Sequence, residues 1–528
     1  MHSTACRLLL CGTLALSFTG AARQQDTPNG PTGDPRGSFL YGNFEQAAAI
    51  LDEAVRAHGG EAWIRGEVSF HVRYEGHWLN QGHYERPWAH HDYATQGALW
   101  YSARRHALRW EGVFDRDGPL NGYALLGPDA GVHLTAGARE PERLSGAALR
   151  QEWHSELEAL PREVLRQALA HPAGLRALGG SGERDVIQCL GDEGELLALF
   201  IDRETHLLRR VERVADWPTK GDRLDWWEFD DYRPVGSVHL AHELRMHREE
   251  QSTQSFLGVR LTAAEVGAPI DAAVFDPPPE CGDLIAATDL APRIAAPFAP
   301  LPAHDLGHGV RIIDVPANDA RSLLVEFAEF TVVVEGGDNS AVAEEILDTA
   351  EALCPGKPVR YLAMSHHHPL YSGGIRAYVN RGVTVLTTAG NVEYLRDLCT
   401  RPHRIAPDSQ QRHPVEPAFE VIETLRAIDD GTQRLEFHEF STSTHTDEYV
   451  LTYVPGSKLG FLGDLLYSIA GQEPTPAGPR ARAVYRLIRD LGLDVQQFSQ
   501  TWFLEQGKML IPFTELEEEV RLADELDG

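Results

Sequence analysis

The chain has 528 residues, of which 42% are hydrophobic, 24% charged and 8% aromatic. This globular balance excludes a disordered, collagenous or coiled-coil protein and supplies material for two or three cored domains. Its 78 acidic residues against 48 basic ones leave a formal charge of -30, a field that opposes nucleic acid or an anionic membrane surface as partner.

At the start of the chain Arg7 precedes the apolar run from Leu8 to Phe18, and the small residues Gly20, Ala21 and Ala22 follow. That pattern predicts a secretory signal over residues 1–22, cleaved near Ala22. The run has 11 residues, whereas a hydrocarbon core needs roughly 20. No integral span is expected after cleavage, and the expected location is periplasmic or secreted. Cys11 follows Leu10 rather than a small residue, which argues against a lipid-modified cysteine. Cys6 and Cys11 leave with the signal, so Cys189, Cys281, Cys354 and Cys399 remain. None forms a CxxC pair, so buried thiols with at most one bridge are expected rather than a thiolate zinc or redox site.

Residues 23–42, rich in Gly, Pro, Gln and Asp, read as a flexible linker. Asn43 is a candidate cap for a helix whose stripe is Ala47, Ile50, Leu51, Ala54 and Val55 and which ends at Gly59-Gly60. From Val68 to about Leu261 short alternating and aromatic runs, among them VSFHVRYEG, GALWYSA and DWWEFDDY, predict a large antiparallel sheet interrupted by helices over 147–170. Proline at 277, 278 and 279, and again at 292, 297, 300 and 302, ends this first domain, 43–276, in a linker over 277–303.

Beyond the linker the pattern changes to layered α/β over 304–528. Strands GVRIIDV, SLLVEF and TVVVEGG precede a helix predicted to be capped by Ser340, and VRYLAMS, VTVLTT, RLEFHEF, YVLTYV and LGFLGD follow with helices between and after them. At the end of VRYLAMS stands Ser365-His366-His367-His368-Pro369-Leu370-Tyr371-Ser372-Gly373-Gly374. In extended backbone His366 and His368 aim two imidazoles at one point while His367 faces away. His445 follows RLEFHEF, and Asp464 ends LGFLGD. Three imidazoles and a carboxylate at strand ends suit a borderline-soft cation such as zinc.

These segments, in this order, resemble the metallo-β-lactamase superfamily over most of the second domain. The resemblance implies an αββα sandwich with metal ligands at one edge of two facing sheets. His366 and His368 fall on the first two histidines of the HxHxDH motif, His445 on the next histidine ligand and Asp464 on the metal-bridging aspartate. The motif's Asp and final His are Leu370 and Tyr371 here. The late histidine is missing, and its nearest equivalent by order is Gln506-Gly507. The ligands for one zinc are kept and those exclusive to a second are lost, so one ion is expected.

Three histidines on zinc with an open position lower the pKa of bound water to about 7 and permit hydrolysis. Asp464 then serves as base or closes the site as a fourth ligand. Tyr371 is a candidate hydrogen-bond donor to a developing oxyanion, or a filler of the second-metal pocket. Gly373-Gly374 is read as the start of the next helix, and His304 and His308 as hinge or surface residues.

The first domain resembles, through AVRAHGGEAWIRGEVSFHVRYEG, LFIDRETHLLRRVERV and FDDYRPVGSVHLAHELRM, the curved half-barrel of bacterial outer-membrane lipoprotein-sorting proteins. The resemblance implies room for an apolar cavity, which Trp78, Trp88, Trp100, Trp110, Trp226 and Trp227 are placed to line or to pack. The expected function is an exported zinc hydrolase of a small ester, thioester or amide. The alternatives are a non-catalytic envelope protein with an apolar ligand in the first domain, and a structural metal. A role in β-lactam resistance is not supported, and substrate, oligomeric state and disulfide pairing stay open.

Overall fold

The computed structural model describes residues 38–81, 86–115, 119–134, 141–248, 255–276, 299–502, 504 and 506–527. The expected signal segment, Cys281 and most of the proline-rich stretch lie outside them. No helix among the described residues is long and apolar enough to cross a membrane. Cys189, Cys354 and Cys399 are buried free thiols.

The first helix, Phe39–Ala57, buries the apolar stripe Ala47, Leu51, Ala54 and Val55. Asn43 does not cap it. Ser38 holds the cap position, and Asn43 sits inside the helix, exchanging two hydrogen bonds with the backbone of Ala177 at 2.7 and 2.8 Å.

Thirteen antiparallel strands follow as one sheet. Strand Ser69–Gln81 lies in its middle. The chain meanders outward from it to the edge strand Glu142–Leu144, then crosses through helices Gly146–Glu158 and Pro161–Ala170. It re-enters at the opposite edge, Arg176–Ser181, and meanders back until Leu257–Val266 pairs with Ser69–Gln81. A single apolar core joins one face of these strands to the four helices of the domain. Of the expected half-barrel, the structure establishes this coarser description: an open antiparallel sheet with helices against one face.

Residues 303–527 form four layers, and strand alternation builds them. In the seven-stranded sheet Ile313, Leu324, Val333, Leu362 and Val385 face one way, onto helices Ser340–Leu353, Ile375–Asn380 and Val392–Thr400. Their neighbours Ile312, Leu323, Val325, Val332, Val334 and Leu386 face the other way, onto Ile428, Leu435, Phe437 and Phe461 of the six-stranded sheet. That second sheet's outer face, through Leu451, Tyr453, Leu462 and Phe498, packs on helices Pro479–Leu491 and Phe513–Asp527. Strands covered on both faces must be apolar at every position, which explains the unbroken VVV and LL runs. Helix Ser340–Leu353 is capped by Asn339, not Ser340: Asn339 Oδ1 accepts from the amides of Ala341 and Val342.

Candidate metal centre

Parallel strands Thr331–Val334, Val359–Ala363 and Thr384–Thr387 end at one edge of the sandwich. Ser365 fixes the histidine loop there from both sheets. Its amide donates to the Glu335 carboxylate at 3.2 and 3.4 Å, and its carbonyl accepts from Val450 at 2.7 Å. Glu335, at φ 69°, is fully buried, and burial pushes its carboxyl up to about 8, with the Ser365 hydrogen bonds opposing. Gly373 and Gly374 do more than start a helix. A Cβ on Gly373 falls 1.8 Å from the Asp338 carbonyl, and one on Gly374 2.3 Å from that of Gly336. Only glycine lets the histidine segment press onto the 336–338 turn.

His366 and His368 emerge from this loop with ring centroids 4.2 Å apart. His445 enters from a turn in which Ser443 Oγ accepts from the amides of His445 and Thr446, and its ring lies 4.9 Å from His366 and 4.8 Å from His368. Asp464 is aimed from the end of strand Leu459–Leu462 by Tyr449, whose hydroxyl accepts from the amides of Gly463 and Asp464 while its ring stacks on His366. One ligand atom from each of His366, His368, His445 and Asp464 lies within 4.8 Å of all the others.

Asp464 Oδ2 stands 2.9 Å from His445 Nε2, and Oδ1 stands 3.8 Å from His366 Nε2. Neither Asp464 Oδ1 nor His445 Nε2 makes a hydrogen bond. Tetrahedral ligands about 2.0–2.1 Å from a zinc ion stand roughly 3.4 Å apart, so the spacing and the donor set fit such a cation. Arg480 completes the rim, donating to the Asp464 carbonyl at 3.2 Å with its guanidinium 3.7 Å from Oδ2.

Tyr371 is 2% exposed, packed 4.5 Å from the His366 ring and against Gly463, and its hydroxyl has no hydrogen-bond partner. This interior position agrees with a ring filling space beside the cluster. Burial holds its phenol protonated, raising it well above its ordinary value. His367 is buried beside the cluster, its ring 4.8 Å from that of His368 and 5.9 Å from that of Tyr394, but it is not one of the four converging ligands. Gln506-Gly507 is not at the site: Gln506 is exposed, and the pair joins Ile469 and Ala470. The segment beside Asp464 is instead Thr501, whose amide donates to the carbonyls of Leu462 and Gly463. His304 pairs with Asp314 and His308 lies in a turn at φ 52°, both outside the cluster.

Sequence reasoning missed Glu335, Tyr449 and Arg480. It also missed the first domain's contribution to this edge. Arg86 forms an ion pair with Asp447, two residues beyond His445, and Trp88 meets Tyr394 edge-on at 5.1 Å. The turn after Leu208–Trp217 adds Thr219, which donates to the Asp338 carbonyl, and Asp222, which accepts from the amides of Arg404 and Ile405.

Two facing sheets, helices outside both, and a histidine loop at the strand ends settle the architecture. Residues 303–527 form the αββα sandwich that the resemblance to the metallo-β-lactamase superfamily implies. No protein-family model matches the chain, and no curated protein matches it. Solved structures do. A metallo-β-lactamase from Pontibacter korlensis aligns at 18% identity over 42% of this chain and 99% of its own, with a TM-score of 0.31. The metallo-β-lactamase FIM-1 from Pseudomonas aeruginosa, solved in a mono-zinc form, aligns at 17% over 44% of this chain and 98% of its own, again at 0.31. The inverting sec-alkylsulfatase Pisa1 from Pseudomonas sp. aligns at 15% over 42% of this chain and 41% of its own, at 0.31.

Proposed function

We propose that the protein is an exported two-domain hydrolase, divided at 277–303, that uses one zinc ion held by His366, His368 and His445, with Asp464 beside it as base, to cleave a small ester, thioester or amide. The convergence of four ligand atoms within 4.8 Å at one edge of the sandwich carries this reading. When bound, the cation supplies Lewis acidity and a water whose pKa falls to about 7.

The protein's own groups do the rest. Asp464, oriented by Tyr449 and Arg480, presents a carboxylate oxygen to the proton of the attacking water. Ser365, 2.8 Å from His366 Nδ1, and Glu335 behind it hold the first imidazole in place. Leu370 and Tyr371 offer no ligands for a second cation, so the leaving group departs without that help, and substrates with activated leaving groups are favoured.

The test is turnover of p-nitrophenyl esters and aryl thioesters. Activity is expected to disappear on chelation and to fall about 10²–10⁴-fold in Asp464→Asn, the range for a general base. Hydrolysis that survives both treatments refutes the mechanism. Its absence from esters, thioesters, amides and lactams alike turns the cluster into a structural metal site.

A further inference from the structure

Strands Leu208–Trp217 and Gly221–Val235 of the 13-stranded sheet are joined by a tight turn that reaches the sandwich. Gly221, at φ 82°, lets the turn seat there. A Cβ on it falls 2.3 Å from the Pro402 carbonyl and 2.9 Å from the His403 ring, on a backbone conformation that side chains rarely adopt. Asp222 then pairs with backbone: its amide donates to the Pro402 carbonyl at 2.8 Å, and its carboxylate oxygens accept from the amides of Arg404 and Ile405 at 2.9 and 3.0 Å. Earlier in the turn Thr219 Oγ1 donates to the Asp338 carbonyl at 2.8 Å.

Both seats belong to segments that carry the histidine loop. Glu335 accepts from the Ser365 amide, the Gly336 amide donates to the Tyr371 carbonyl at 3.3 Å, and the Gly374 amide donates to the Gly337 carbonyl at 2.9 Å. The Asp338 carbonyl that Thr219 holds is the group against which Gly373 presses. Beyond 402–405, Asp408 binds Arg376 of the helix that continues the loop and accepts from Ser340 Oγ, at the start of the helix that continues the 336–338 turn. One turn of the first sheet therefore holds the backing of the loop that aims His366 and His368, at its end and just beyond it. Neither Thr219 nor Asp222 is among the converging ligands, so what they do for the cluster is done through the loop. A cation binds a flexible ligand set more weakly in proportion to the time the ligands spend out of place.

We propose that Thr219 and Asp222 are positioning residues of the metal centre, through which the seat of the 13-stranded sheet on the sandwich sets the order of the histidine loop and with it the affinity for the cation. This role rests on the cation site of the proposed function and not on hydrolysis.

Two measurements on the full chain test it. Zinc affinity is read by competition with a chromophoric chelator, and hydrogen exchange of the peptide covering 365–376 is read in the chelated protein, where no metal holds the loop. Thr219→Val, which removes the donor at nearly constant volume, is expected to weaken zinc about fivefold and to speed exchange in that peptide by a similar factor, as the loss of one hydrogen bond allows. Asp222→Ala should weaken zinc about tenfold, and Thr219→Ser, which keeps the hydroxyl, should match the parent. Thr205→Val controls for a general loss of stability: it deletes the hydroxyl that donates to Asp202 in the turn at the other end of strand Leu208–Trp217, and should leave both readings unchanged. A parent that binds no zinc overturns the cation site and this role together. Zinc affinity or loop exchange that is the same in the parent as in Thr219→Val and Asp222→Ala overturns this role alone, and so does a loss that Thr205→Val shares or that Thr219→Ser fails to restore.

Discussion

Asp464 is held from three sides, by the Tyr449 hydroxyl at its amide, Arg480 at its carbonyl and His445 at its carboxylate. His445, like Asp464, comes from the segments of the second sheet, far in sequence from the His366 and His368 pair. A cation joining them stabilises the native state by mass action. His445→Ala is therefore expected to abolish the difference in melting temperature between zinc-loaded and chelated protein, while the chelated forms melt within a few degrees of each other. An unchanged zinc-dependent difference removes His445 from the site. At this scale the sequence was informative where side chains themselves act: the i, i+2 spacing placed His366 and His368 together, and chain order pointed to His445 and Asp464. Glu335 and Tyr449 were illegible because they act on amides, of Ser365 in one case and of Gly463 and Asp464 in the other, and no local pattern shows which distant amide an acidic or phenolic group meets.

Among the elements, the types and order of strands and helices were legible from period and punctuation, and the errors lie where one residue's partner decides. Asn339 and Ser340 are both good capping residues, and only the backbone turn at 339 selects between them. Asn43 has the right chemistry for a cap and is diverted to Ala177, a tertiary contact stronger than the local rule. Helix Ile375–Asn380, which follows the histidine loop, is anchored by Arg376. This guanidinium is 1% exposed and binds Asp408 together with the carbonyls of Leu398, Cys399 and Arg401. More than offsetting burial, which by itself raises it, Arg376 and the Gln411 amide hold the Asp408 carboxyl down at about 2. Removing one partner of a buried pair costs about 3–5 kcal/mol, so Arg376→Met should lower stability by that order in denaturant titration. Because a depressed carboxylate pKa adds stability above its unfolded value that is lost as pH falls toward 2, the parent's acid sensitivity in that window should shrink in Asp408→Asn. A variant as stable as the parent contradicts the clamp.

For the whole molecule, the 13-stranded sheet and the sandwich meet at the edge that carries the cluster, and this juxtaposition is invisible in the sequence because the 217–222 turn reaches the 402–405 segment through backbone amides and the Asp222 carboxylate. Stability is also coupled to pH through His58, which is 1% exposed, donates to or accepts from its surroundings as a neutral ring, and is lowered by burial from 6.5 to about 4 despite its contact with the Ala54 carbonyl. The unfolded chain takes up this proton first, so the stability is complete above about pH 6.5 and is lost as pH falls toward 4, by about 3 kcal/mol at 1.36 kcal/mol per pKa unit. Thermal unfolding followed between these limits should show the loss in the parent and a smaller one in His58→Gln; equal slopes would assign it elsewhere. The central claim, one cation at the cluster of His366, His368, His445 and Asp464, is tested most directly by elemental analysis of protein purified without chelator, beside His366→Ala prepared in parallel. The expected result is one zinc per chain in the parent and none in the variant; two zincs, no metal, or an unchanged metal content in the variant would contradict it.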